Sequence, residues 1–217
     1  MYRFLIIIFS TIFMCYSFDA CTRSRSGSDS TSDSAPVVMG IKVEGTLSSM
    51  EEQFGDLGYT EVMTTNKGNA VSLWSERFNS VPNTPNPWIY FTPRSHLVWG
   101  VLLKFTQHDD WQSLKWDYQR LLSELIKSHG KPESTSSTFI APYNEGDGNE
   151  MEAVSKGYCK YYASWPSIRI QIADDPDLNY PHVEVLYSNI TNEKLNDEEI
   201  QQARIDSINS IPKLPPL

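Results

Sequence analysis

The sequence predicts an α+β fold, a two-layer arrangement of an antiparallel sheet with helices packed on one of its faces. Short alternating apolar runs recur along the chain between turn residues, as strands joined by hairpins require. Two segments adopt helical spacing instead, Leu47/Met50/Phe54/Leu57 and Trp111/Leu114/Tyr118/Leu121/Leu122/Leu125, and each runs into a glycine. The order strand–helix–strand–strand–strand is read twice, about Val37–Thr92 and Leu97–Ser188, which suggests a duplicated βαβββ unit without any residue-level repeat. Successive hairpins favour antiparallel pairing, and each apolar helix stripe then needs a sheet face to bury against.

Val37, Met39, Ile41 and Val43 alternate with polar residues and read as a half-buried strand, after which Gly45 turns the chain and Thr46 caps the first helix, which Gly58 stops. Thr60–Thr65 and Ala70–Phe78 read as strands around a turn at Asn66-Lys67-Gly68-Asn69. A proline-broken loop, Pro82–Pro87, leads into a strand at Trp88–Thr92. Leu97, Trp99, Val101, Leu103 and Phe105 share one face of the next strand. Asp109 or Asp110 caps the strongest helix, which Gly130 and Pro132 end. A polar loop, Lys131–Glu150, precedes strands at Glu152–Ala163, Ile168–Ala173 and His182–Ser188. Asn196 and Glu199 have capping-box spacing for a short C-terminal helix closed by Pro212.

The N-terminus reads as an address. Arg3 precedes a nearly continuous apolar run, Phe4–Tyr16, which has the layout of a secretory signal peptide and is too short for a comfortable transmembrane helix. No later stretch approaches spanning length, so the remainder is expected to be soluble. Phe18-Asp19-Ala20-Cys21, followed by a serine-rich segment to Pro36, resembles a bacterial lipoprotein junction. That resemblance implies a lipidated Cys21 (palmitate among its acyl chains) and a polar tether holding the domain off a membrane. Ordinary cleavage near Ala20, leaving a secreted or periplasmic protein, is the alternative. The expected organisation is a signal peptide over 1–20, a tether over 21–36, an α+β domain over 37–190 and a C-terminal helix with a proline tail over 191–217.

About 180 residues follow Pro36, enough for one domain with a genuine core. The formal net charge of −9 disfavours nucleic acid or polybasic membrane binding. Three cysteines exclude a disulfide-dense scaffold. With Cys15 and Cys21 assigned to the leader and the lipid, Cys159 has no disulfide partner and is expected to be a small core thiol.

Val38-Met39-Gly40-Ile41-Lys42-Val43-Glu44-Gly45-Thr46-Leu47, with Phe54 and Leu57-Gly58-Tyr59, is similar to the opening of a group of uncharacterised secreted proteins and lipoproteins of Bacteroides-type bacteria. The stretches Leu121–Leu125, His129-Gly130-Lys131-Pro132 and Val183–Tyr187 are similar to the same group. These motifs are turn glycines, caps and core positions. The resemblance therefore implies location and fold, and carries no activity with it.

No catalytic constellation emerges. In His108-Asp109-Asp110 a carboxylate beside an imidazole invites a base, but adjacent residues seldom point at each other and the acids suit an N-cap. His129 suits the negative end of its helix, and His96 and His182 stand apart without metal-ligand spacing. The acidic turns Asn144–Glu150 and Asp174–Asp177 lack the ligand alternation of a calcium loop. There is no GxSxG elbow or phosphate loop, and Asn189-Ile190-Thr191 is a sequon by spelling alone. The excess lies in the aromatics, six Trp and eleven Tyr. Trp99, Trp111 and Tyr118 fall on core faces, which leaves Trp74, Trp88, Trp116, Tyr143 and Tyr180 as candidate ligand or partner contacts. The expectation is a non-catalytic envelope lipoprotein, without metal or cofactor, that joins another envelope protein. A glycan- or small-ligand-binding module using the exposed aromatics is the alternative.

Overall fold

The computed structural model describes residues 35–65, 69–75, 84–175 and 180–210. The leader, Cys21 and the tether lie outside the described residues, as do the turn at 66–68, the segment 76–83 and the terminal prolines.

Two two-residue strands, β1 (Val37–Val38) and β2 (Ile41–Lys42), form a hairpin and lead into α1 (Leu47–Asp56). Strands β3 (Thr60–Thr65), β4 (Ala70–Trp74), β5 (Asn86–Phe91) and β6 (Val98–Gln107) follow. The second half runs α2 (Trp111–His129), β7 (Ser134–Phe139), α3 (Glu150–Ser155), β8 (Cys159–Ser164), β9 (Ile168–Asp175), β10 (Tyr180–Ser188) and α4 (Ile190–Asn209). Strands β3 to β10 make one antiparallel sheet in the order β3-β4-β5-β6-β10-β9-β8-β7. The α+β architecture is therefore as the sequence predicts.

The order reads alike from both edges. Each half is a helix followed by four strands, the second with α3 inserted between β7 and β8, and the last strands of the two halves, β6 and β10, pair at the centre. The repeated unit is thus αββββ instead of βαβββ, because the strand at Val98–Gln107 closes the first meander and does not open the second.

Pleat alternation assigns the faces. Val71, Ile89, Val101, Tyr187 and Ile168 lie opposite one another in a row across β4, β5, β6, β10 and β9. This row faces the helices. Met50 and Phe54 of α1 join Val38, Ile41, Val43, Leu73 and Phe91 in one core. Trp111, Leu114, Tyr118, Leu121 and Leu125 of α2 join Tyr161, Ile170, Ile172 and Val183 in another. Phe105 and Tyr187 pack against both cores.

Several local expectations are corrected. Val37 to Val43 is not one strand, because Met39 and Gly40 both take positive φ and fold it into a hairpin in which Val38 points inward and Val37 and Met39 are exposed. The β5–β6 register shifts between Tyr90, opposite Gly100, and Phe91, opposite Val98, so Val98 takes the core position, while the bulged Trp99 packs on Tyr90 with ring centroids 5.0 Å apart and joins neither core. The segment read as a loop over 131–150 contains β7, whose Ser/Thr composition hid it. Glu152–Ala163 is not a single strand: Ala153 and Val154 belong to α3 and are buried, Gly157 takes positive φ, and the strand starts at Cys159. The C-terminal helix starts six residues before Asn196, with Asn189 as its cap (Asn192 N–H to Oδ1, 3.1 Å). Asn196 is a buried position inside that helix, and Glu199 reaches out to Arg94 and Ser95. Among the described residues no helix is long and apolar enough to cross a membrane.

Candidate functional site

With α1, α2 and α3 over one face of the sheet, its opposite pleat row carries what the cores do not use. Ser72, Trp88, Leu102, Leu186, Arg169 and Ser164 stand opposite one another in sequence across six strands. The next row runs Asn86, Lys104, Glu184, Gln171, Tyr162 and Ser136. Trp74, two residues beyond Ser72 on β4, shares this side, as do Tyr90 and the displaced Trp99. Trp74, Trp88, Tyr90, Trp99 and Tyr162 are all half-buried, and Leu102 beneath them is buried. The Trp99 Nε1 donor is enclosed without a hydrogen-bond partner among the described residues.

The polar part of this face sits at its centre. Lys104 Nζ lies 4.5 Å above the Trp88 ring, a cation–π arrangement. Gln171 Nε2 donates to Glu184 Oε1 at 2.6 Å. His182, buried at the β6–β10–β9 end, donates from Nδ1 to the Tyr180 carbonyl at 3.1 Å. Its Nε2 stands 3.5 Å from Glu184 Oε2, close enough for charge attraction but without hydrogen-bond geometry. Burial pushes the Glu184 carboxyl up, yet His182, Gln171 and the Lys104 charge outweigh it and hold the group below the usual glutamate range. An anchored carboxylate and a cation thus stand among aromatics on this face.

The five aromatics expected from the sequence do not form one site. Trp74 and Trp88 share the face opposite α1, α2 and α3. Trp116 lies on α2, on the helix side of the molecule, and is 61% exposed. Tyr143 is packed on Tyr158 and bonded to Glu152 and Lys156, a local structural role. Tyr180 is not in a loop but opens β10, exposed. Sequence reading missed Tyr90, Trp99, Tyr162 and Lys104. Plain alternation with Ile89, Phe91 and Tyr161 identifies the two tyrosines, whereas the bulge conceals Trp99.

The histidine expectations divide. Asp110 is the N-cap of α2, accepting from Ser113 N–H at 2.9 Å, and no adjacent dyad forms. His108 meets a more distant carboxylate instead, donating from Nε2 to Asp117 Oδ2 at 2.7 Å. Asp117 is 2% exposed and also accepts from Arg120 at 3.3 Å. A shallow cavity of about 420 Å³ opens there, lined by His108, Gln112, Ser113, Trp116 and Asp117. His129 ends α2, and His96 stacks on Phe91. In the 144–150 turn the acids serve the loop and its neighbours: Asp147 accepts from Asn144 and Asn149 N–H, and Glu145 pairs with Lys115 and Tyr161. Of Asp174–Asp177, Pro176 and Asp177 lie outside the described residues, among which no metal-ligand cluster occurs. Asn189 is occupied as a cap and as a donor to the Val43 carbonyl. Burial pushes the Cys159 thiol up to about 11, as a core cysteine requires.

Comparison with protein-family models, curated proteins and solved structures gives no match for the chain.

Proposed function

We propose that the chain is a non-catalytic, lipid-anchored module of a bacterial cell envelope, tethered through Cys21, that binds another envelope protein on the sheet face opposite α1, α2 and α3. The observation that carries this reading is the outward row Trp88–Leu102–Leu186, flanked by Trp74, Tyr90 and Trp99, on the sheet face opposite α1, α2 and α3, with α4 packed against β6. An aromatic surface that spans several strands suits a protein interface better than a small ligand. The export run and the Phe18-Asp19-Ala20-Cys21 junction support the location.

The test is in-cell crosslinking of the tagged full-length chain with mass spectrometry of what co-purifies. A stoichiometric envelope protein is expected, lost in the Trp74→Ala/Trp88→Ala double variant while the chain stays folded. Cys21→Ser should end lipid labelling and release the chain from membranes. Crosslinks indifferent to both tryptophans would overturn the face assignment, and membrane attachment indifferent to Cys21 would overturn the anchor.

A second reading, a glycan- or small-ligand-binding module, is favoured by one observation, the cavity beside Trp116.

A further inference from the structure

We propose that this cavity at the start of α2 is a binding site for a neutral saccharide, with Trp116 as its stacking platform. The inference rests on the ligand-binding reading and commits it to one place and one ligand class.

Trp116 is the most exposed aromatic among the described residues, and no core requires it. Helical spacing places Gln112 one turn before it and Ser113 and Asp117 in the adjacent row, so the cavity is built by one helix face with His108 supplied from the end of β6. A pyranose presents a C–H face that carries slight positive charge, which suits the negative face of an indole. Its hydroxyls each need a donor or acceptor, and the lining offers both. The Gln112 amide donates and accepts. The Ser113 hydroxyl supplies a donor and acceptor lone pairs. His108 donates from Nε2 to Asp117, and its Nδ1 has no partner among the described residues.

The buried carboxyl argues for positioning. A carboxyl that is 2% exposed is costly unless its bonds are complete. Here Arg120 and His108 complete them, and the result is a fixed imidazole at the cavity wall. Asp117 is thus a positioning residue. Arg120 lies over one face of the Trp116 ring at 5.7 Å, so an added cation would find that face taken and repulsive, and a sugar would stack on the opposite face. The Asp110 carboxylate beside His108 disfavours an anion. The remaining class is uncharged, polar at its edge and apolar on its face. A volume of about 420 Å³ falls in the lower part of the small-molecule range and suits a mono- or disaccharide.

The test is saturation-transfer NMR from the purified full-length chain to glucose, galactose, mannose, N-acetylglucosamine and their β-linked dimers, each at up to about 10 mM, where weak binding of a few kcal/mol registers. Transfer to at least one sugar is expected, lost in Trp116→Ala, weakened about ten-fold in Gln112→Ala, and unchanged in Trp74→Ala/Trp88→Ala. Trp116 and Gln112 are exposed, so unchanged thermal melts should confirm that these variants fold. Transfer that survives Trp116→Ala but disappears with Trp74 and Trp88 would overturn this site and leave the ligand-binding reading standing. Silence from every sugar would overturn both.

Discussion

A carboxylate at a helix start is stabilised by the amides it faces, and Asp110 shows how far that reaches. Its Ser113 contacts hold its carboxyl below the ordinary aspartate range. A carboxyl lowered by folding contributes stability above its unfolded pKa of about 3.9, and that contribution fades as pH falls through the lower folded value. Asp110→Ala should therefore be less stable than the parent at neutral pH, with the gap closing in acid below about pH 4 in denaturant melts. A gap that stays constant into acid would mean the cap acts without its charge. Cys159 is the complementary case, a thiol at 8% exposure whose pKa burial raises to about 11. At neutral pH it is almost wholly protonated and shielded, so it should resist thiol reagents in the folded chain and react on denaturation. Prompt labelling of the native chain at Cys159, located by peptide mapping, would contradict its place in the core.

Elements whose residues pack were legible in the sequence, and elements held by other means were not. Met50 and Phe54, or Leu114, Tyr118 and Leu121, announce their helices because burial imposes the 3.6-residue period. Strand β7, Ser134–Phe139, is an edge strand with mostly exposed positions, so no alternation marks it. Helix α4 is nearly devoid of an apolar face beyond its first turns, with Ile205 and Ile208 exposed. It is fixed by polar bonds instead: Asn189 Nδ2 to the Val43 carbonyl, Asn192 Nδ2 to the Val98 carbonyl, and Glu199 to Ser95. Asn189→Ala removes both the cap and one tie, and should cost about 1–2 kcal/mol in a denaturant melt, with faster amide exchange through Ile190–Asn196. Protection equal to the parent's there would show that α4 is held from its other end. The site was legible to a similar degree. Trp74 and Trp88 follow from strand parity, while the His108–Asp117 pair depends on how the β6 end meets α2 and leaves no mark in sequence spacing.

At the scale of the molecule the two halves are similar units that could each be imagined folding alone, and the central ladder decides whether they do. β6 and β10 pair from Gly100 to Gln107 and from His182 to Ser188, and Phe105 and Tyr187 touch both cores from adjacent strands. Neither meander has a second neighbour for its last strand without the other, so separating the halves would expose two unpaired edges and the inner flank of each core. Coupling of this kind makes the domain one cooperative unit. Phe54→Ala in the first core and Leu114→Ala in the second, each at 0% exposure, should cost about 3–5 and about 2–5 kcal/mol respectively. Each should shift a single transition seen alike by far-ultraviolet dichroism, tryptophan fluorescence and amide exchange in both meanders. Were the halves independent, Phe54→Ala would lower exchange protection in β4 and β5 and leave β8 and β9 at the parent's level. That outcome would assign the β6–β10 ladder a docking role, and uniform loss of protection would make it the seam through which the two halves share one stability.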